Sequence, residues 1–273
     1  MGFERALENK AAVNGAAGEK MERLEAVAAP WKAVAVAYSG GVDSTVLAWL
    51  LRHAFGKSVH LYLVKSPFLA VRELSSAQSV AQALDLPLQI LPLDLLAVEA
   101  VRINDAHRCY YCKAAVMDAI GQKRTPGTVV VDGSHADDAT EDRPGRKALL
   151  KKGIPSPLAL AGWTKADIRR IARAAGLPNW NKPSQSCLAT RVPYGTQVCA
   201  AMLERIEAAE ELLYGMGCLQ VRVRCKGERA RIQVGREDAR RLHDAERWAQ
   251  LLRHMARLGF FHVELDSTPL SSD

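Results

Sequence analysis

Apolar positions along this chain come in short blocks separated by helical spacing, and the alternation predicts strands and helices in turn. AVAVAY at 33–38 is an unbroken apolar run of the length of a buried strand. STVLAWLLRHAF at 44–55 follows, with Val46, Leu47, Leu50 and Leu51 on one helical face. SVHLYLV (58–64) and LQILPLD (88–94) read as further strands, with the helix RELSSAQSVAQALDL (72–86) between them and helical stretches running on to about 121. GTVVVDGS (127–134) ends a fourth strand in a polar loop, and TKADIRRIARAAGL (164–177) is a helix with Thr164 as N-cap and Gly176 just past its end. Strands alternating with helices predict an α/β fold: a Rossmann-like parallel sheet with helices on both faces.

The pattern changes after 177. Residues 178–198, with Pro178, Pro183 and Pro193, read as a long polar loop. A helix over 200–216 precedes two alternating segments, LQVRVRC (219–225) and RARIQVG (229–235), an antiparallel hairpin turning at Lys226–Gly227. A helix over 237–258 and a strand over 260–265 close a small α+β C-terminal domain. The expected division is an N-terminal helix (1–30), a nucleotide domain (31–180), a C-terminal domain (181–265) and a disordered tail (266–273).

Composition narrows the class. The chain has 273 residues, 48% hydrophobic and 25% charged, which suits a globular protein. No run reaches the ~20 apolar residues of a membrane helix, and the charged start MGFERALENK is no secretory signal, so a cytoplasmic protein without a membrane partner is expected. Six cysteines then point to thiol or metal chemistry rather than disulfides. The net charge of +7 permits an anionic partner, but the basic residues are scattered, with modest clusters at 169–173, 222–231 and 236–241, and nucleic acid is disfavoured.

Ser39, Gly40, Gly41, Val42, Asp43 and Ser44 lie between strand and helix. Glycines admit a phosphate close to the backbone, and a helix N-terminus adds free N–H groups and partial positive charge. No lysine follows the second glycine, so this is not a Walker loop. It resembles the PP-loop of ATP pyrophosphatases, which cleave ATP between the α and β phosphates and transfer AMP to activate a substrate oxygen. Asp43 has two readings, a magnesium-side residue or a charge complementing the helix dipole.

Cys109 and Cys112 form a CxxC within RCYYCK, and Cys187 stands apart in SCLATR. Three thiolates suit a four-iron four-sulfur (4Fe-4S) cluster with one iron left open; zinc, a redox pair or inert thiols are the alternatives. Cys199, Cys218 and Cys225 read as small buried hydrophobes.

Together SGGVDS (39–44), SPFLAVREL (66–74), RCYYCK (108–113), DGSHADDATEDRPGRKA (132–148), SPL (156–158), the 164–177 helix and KPSQSCLATRVPYG (182–195) closely resemble the LarE family, over roughly residues 20–240. LarE proteins are sulfurtransferases for pyridinium-3,5-biscarboxylic acid mononucleotide, a precursor of the nickel-pincer cofactor of lactate racemase. The resemblance implies that ATP and Mg2+ adenylate a carboxylate and that a protein-bound sulfur displaces AMP to leave a thiocarboxylate. One branch spends a single cysteine, at the position of Cys187. The presence of Cys109 and Cys112 resembles the other branch, in which a 4Fe-4S cluster on three cysteines donates an added sulfide.

On this resemblance Gly133, Asp137, Asp138 and Asp142 are candidates for the nucleotide and its magnesium, with a solvated acidic loop as the alternative. Lys113, Arg143 and Arg191 are candidates for phosphate or carboxylate, and Arg191 adjoins Cys187, where it would favour the thiolate. Arg222 and Arg224 lie on one strand face as phosphate binders, or as an exposed basic face, and Glu210 is a candidate metal contact. The family also implies a homo-oligomer and handover of product to the pathway's nickel-insertion protein. A tRNA thiolase of the PP-loop group and a non-catalytic nucleotide-binding regulator are the competing readings.

Overall fold

The computed structural model describes residues 16–139 and 143–270. Residues 1–15 of the expected N-terminal helix, Asp142 and the last three residues of the tail lie outside the described residues. In chain order the helices are α1 (Ala16–Ala28), α2 (Val42–Trp49), α3 (Val71–Ala83), α4 (Glu99–Arg102), α5 (Arg108–Lys123), α6 (Pro144–Lys151), α7 (Pro157–Leu160), α8 (Lys165–Ala174), α9 (Ala200–Gly215), α10 (Arg236–Leu242) and α11 (Ala245–Arg257). The strands are β1 (Ala33–Ala37), β2 (Ser58–Lys65), β3 (Leu88–Pro92), β4 (Val129–Asp132), β5 (Val221–Lys226), β6 (Arg229–Val234) and β7 (His262–Leu265). The chain divides into two compact units.

The first unit holds a four-stranded parallel sheet in the order β3-β2-β1-β4, the Rossmann-like α/β architecture. β1 is central and shut on both faces: Val34, Ala35 and Val36 have no exposure, which is why its sequence is apolar throughout rather than alternating. One face packs Ala35, Tyr62, Leu91 and Val130 against Met117 and Ile120 of α5 and Leu149 of α6. Two strands, β2 and β3, lie to one side of β1 and β4 to the other, so the order reverses between β1 and β4. In open α/β sheets the crevice at that reversal, outside the strands' carboxyl ends, is where ligands bind. Thr164 caps α8 in a reciprocal capping box with Asp167, and Gly176 follows the helix at φ +65°.

The second unit contains the β5-β6-β7 sheet with α9 to α11, together with Pro67–Ala70 and Asp94–Arg108 from earlier in the chain. β5 and β6 are antiparallel around the two-residue loop Gly227–Glu228, with Gly227 at φ +60°, and β7 joins β6 in parallel. Val221, Val223, Cys225, Ala230, Ile232 and Val234 form the buried face of the hairpin, and α9 contributes buried Leu203, Ile206, Ala209 and Leu213. The single helix expected over 237–258 is two helices. Asp244 accepts a hydrogen bond from the Arg247 backbone at 2.9 Å, acting as a fresh N-cap that competes with helix continuation. The stretch 178–198 likewise contains a 3₁₀ turn at Leu188–Arg191. Among the described residues no helix is long and apolar enough to cross a membrane.

Candidate active site

The loop Ser39–Ser44 joins the carboxyl end of β1 to α2 and is closed by its own hydroxyls. Ser44 Oγ accepts from Ser39 N at 3.3 Å, lies 3.2 Å from Ser39 Oγ and donates to Gly41 O at 3.2 Å. Thr45 Oγ1 donates to Gly41 O at 2.9 Å. Gly40 has φ +74°, and a Cβ there would lie 2.5 Å from Ala77 Cβ in α3, so the position is closed to other residues by backbone and by space alike. Gly133, just past β4, stands so near α2 that a Cβ would come within 3.0 Å of Ser44 N. The two loops at the reversal of strand order therefore meet, with the N-terminal turn of α2 between them.

Two residues that the sequence alone did not single out, Asn179 and Lys165, hold this loop, and a third, Asp132, orders the neighbouring loop after β4. Asn179 is buried and donates to Gly40 O at 3.1 Å and to Thr45 Oγ1 at 2.9 Å. Lys165, first residue of α8, reaches both carboxylate oxygens of Asp43 at 2.6 and 2.7 Å. Asp43 thus sits in the first turn of its helix with a cation on it. Asp132, at the end of β4, accepts from Lys113 Nζ at 3.0 Å, from Ser134 N at 2.8 Å and from Ser134 Oγ. Burial alone would push the Asp132 carboxyl up, but Lys113 and the Ser134 hydrogen bonds outweigh it and hold it below the ordinary range. Lys113 is raised by the Asp132 charge against the opposing effect of burial. The pair is ionised, and Lys113 is oriented by Asp132.

The acidic loop after Gly133 is internally paired. Asp138 accepts from His135 N at 3.0 Å and pairs with Arg143, while Asp137 accepts the backbone N–H of Lys165 at 2.7 Å. Cys109 and Cys112 sit at the start of α5 at i, i+3, which places both half-buried thiols on one helical face.

In the second unit Cys187 is exposed and immediately precedes the Leu188–Arg191 turn. The turn is anchored by Arg191, which is 3% exposed. Its Nε and Nη2 bond both oxygens of buried Glu210 at 2.8 and 3.2 Å. Its Nη1 donates to Ser186 O at 2.8 Å, Thr190 Oγ1 at 3.0 Å and Cys187 O at 3.3 Å. Glu210 also accepts from Val223 N at 2.9 Å, so its two oxygens serve the fold of the Cys187 turn. Arg108 braces the same turn by donating to Ala189 O at 3.0 Å, and Leu188 N donates to Phe68 O at 3.0 Å. Arg222 and Arg224 alternate along β5. Arg224 donates to Gln233 at 2.8 Å, and Arg222 is depressed by burial and by the neighbouring Arg191 and Arg224. A guanidinium amid like charges and partly desolvated is poised for an anion.

Within either unit, among the described residues, no three His, Cys, Asp or Glu side chains gather into a metal-holding group. Cys109 and Cys112 belong to the first unit and the exposed Cys187 to the second.

No protein-family model matches the sequence. The chain is 31% identical over 236 residues, 85% of its own length and 85% of the relative's, to the pyridinium-3,5-bisthiocarboxylic acid mononucleotide synthase of Lactiplantibacillus plantarum. It is 33% identical over 249 residues to an uncharacterized protein of Synechocystis sp., covering 90% of this chain and 93% of that one. An uncharacterized protein of Methanocaldococcus jannaschii is 32% identical over 195 residues, 70% of this chain and 74% of its own.

Proposed function

We infer the function from the premise that the chain belongs to the LarE family: it is an ATP-dependent sulfurtransferase that converts a pyridinium dicarboxylate mononucleotide to its thiocarboxylate, a step toward the nickel-pincer cofactor. The observation that carries this reading is the glycine loop at the reversal of strand order, closed by Ser39, Ser44 and Asn179, in a chain similar over 85% of its length to a bisthiocarboxylic acid synthase.

In the reaction a substrate carboxylate oxygen attacks the α-phosphorus of ATP and pyrophosphate leaves. A sulfide then adds at the acyl carbon and AMP departs with the former carboxylate oxygen. Ser39 to Ser44 and Gly133 cradle the phosphates; N–H groups at the start of α2 and the ammonium of Lys113 are the positive charge available to them. We assign to Asp137 and Asp138 the magnesium that accompanies the triphosphate, with Asp43 held by Lys165 beside them. Arg143, Arg222 and Arg224 take substrate phosphate or carboxylate, and Arg191 with Glu210 fixes the turn that presents Cys187. Cys109, Cys112 and Cys187 would hold a 4Fe-4S cluster, which when bound supplies the sulfide nucleophile. The family resemblance adds a homo-oligomer in the cytoplasm and product transfer to a nickel-inserting partner.

Anaerobic reconstitution tests the sulfur route. Wild type is expected to carry about four irons per chain, one cluster, and to form more than one thiocarboxylate per chain with ATP and substrate, whereas Cys109→Ala loses iron and repeated turnover together. A wild type without iron, whose Cys187 loses the mass of H₂S in one turnover, would make Cys187 itself the donor.

A further inference from the structure

The outer face of α8 carries a feature that sulfur transfer leaves unused. Lys165, Arg169 and Arg173 recur at i, i+4 and i+8, a spacing that aligns them along one side of the helix. Lys165 is spent on Asp43. Arg169 is half-buried, with its Nε enclosed and without a hydrogen-bond partner. Arg173 lies over the indole of Trp180, its guanidinium carbon 5.1 Å from the ring centroid, and Trp180 keeps 36% of its surface exposed. Arg169, Arg173 and Trp180, with Arg170 and Ala174, line an open cleft of about 580 Å³ that has no acidic lining residue. Among the described residues only Arg170 of its arginines is neutralised, by Asp167 at 2.7 Å.

Arg169 lines the cleft and has no ion-pair partner among the described residues, so its guanidinium is available to an incoming anion. An indole with a guanidinium stacked on it is a rigid, planar, electron-rich platform. Side by side, the two features fit one ligand class. We propose that this cleft binds a mononucleotide, its heteroaromatic ring stacked on the Trp180–Arg173 platform and its phosphate on Arg169. The volume lies within the range of small-ligand pockets, roughly 300–1,000 Å³. A single aromatic platform and two available guanidiniums suit one nucleotide, whereas single-stranded nucleic acid needs a run of stacking residues along a basic groove. The proposal does not depend on the sulfur-transfer reading, since it concerns binding alone.

Two sources share this chemistry, the AMP formed at the phosphate loop and a pyridine mononucleotide. Isothermal titration of the full chain, with the phosphate loop saturated by a non-hydrolysable ATP analogue, separates them, using AMP, nicotinic acid mononucleotide and inorganic phosphate as probes. One of the two nucleotides is expected to bind, with phosphate alone at least about tenfold weaker for want of stacking. Arg169→Gln and Trp180→Leu should each weaken that nucleotide on the order of tenfold, as the loss of a charge-assisted contact or a stacking contact predicts. Arg173→Gln is a second probe at an exposed position, where an unchanged thermal midpoint shows the fold intact. Binding of AMP would mark the cleft as a site for the reaction's own product, and binding of the pyridine nucleotide would mark it as a substrate site. Absence of binding by both nucleotides, or affinities within twofold across wild type and all three variants, would overturn the proposal.

Discussion

Replacing Arg191 by methionine should remove about 3–5 kcal/mol from the stability of the second unit, because it leaves the Glu210 carboxylate buried without its cation. Arg191 and Glu210 are 3% and 5% exposed, and their paired contacts at 2.8 and 3.2 Å are supplemented by the Val223 N–H. The same guanidinium gathers Ser186 O, Cys187 O and Thr190 Oγ1, so the variant should also free the Cys187 turn and raise the rate at which a thiol reagent alkylates that cysteine. Urea denaturation checks the first expectation. The double variant Arg191→Met with Glu210→Met should be more stable than the single one, since an apolar pair of similar volume leaves no charge stranded. An unfolding free energy for the single variant within about 0.5 kcal/mol of wild type would mean that water reaches Glu210 and that the pair does not anchor the turn.

Gly40→Ala is expected to act as strongly on the first unit. A left-handed φ of +74° costs a non-glycine residue about 1–3 kcal/mol. Placing a methyl 2.5 Å from Ala77 Cβ and 2.9 Å from Ala77 Cα adds roughly another 1–3 kcal/mol of overpacking. The neighbour is helix backbone with a methyl, which has no flexible end to swing aside, so α3 or the loop itself must shift. ATP binding should fall with stability in Gly40→Ala. The partner variant Ala77→Gly removes the 2.5 Å contact but leaves Ala77 Cα at 2.9 Å and the backbone strain, and should restore only part of the loss. Full restoration by Ala77→Gly would show that the clash with the Ala77 methyl alone, and not φ, reserves Gly40 for glycine.

These two sites differ in how far the sequence discloses them. The phosphate loop is legible because its determinants are local: an apolar run long enough for a doubly covered strand, two glycines, and hydroxyls at both ends of the loop. Helix α8 is legible for the same reason, with Thr164, Asp167 and Gly176 spelling out its caps. Asn179 and Lys165 are not, since they meet the loop across 139 and 122 positions of chain, and a buried asparagine reads no differently from a surface one. Glu210 illustrates the same blindness. Its place in a helix offers a carboxylate, and only the fold discloses that Arg191 and Val223 N take both oxygens. The expected helix over 237–258 failed locally, because Asp244 reads as an ordinary surface residue until its side chain is seen turning back to cap Arg247. Phe68 and the 94–108 segment could not be assigned from pattern to the unit that holds Cys187, because backbone hydrogen bonds such as Leu188 N to Phe68 O leave no side-chain signature.

The central claim is sulfur transfer driven by adenylation, and one measurement addresses it: anaerobic incubation with ATP labelled at the α-phosphorus and the pyridinium dicarboxylate mononucleotide, followed by mass analysis of every small molecule. The account predicts AMP and pyrophosphate in equal amounts, formed only when the dicarboxylate is present, and a substrate mass changed by one oxygen-to-sulfur exchange. Formation of ADP, or AMP release indifferent to the dicarboxylate and without sulfur in the product, would contradict it.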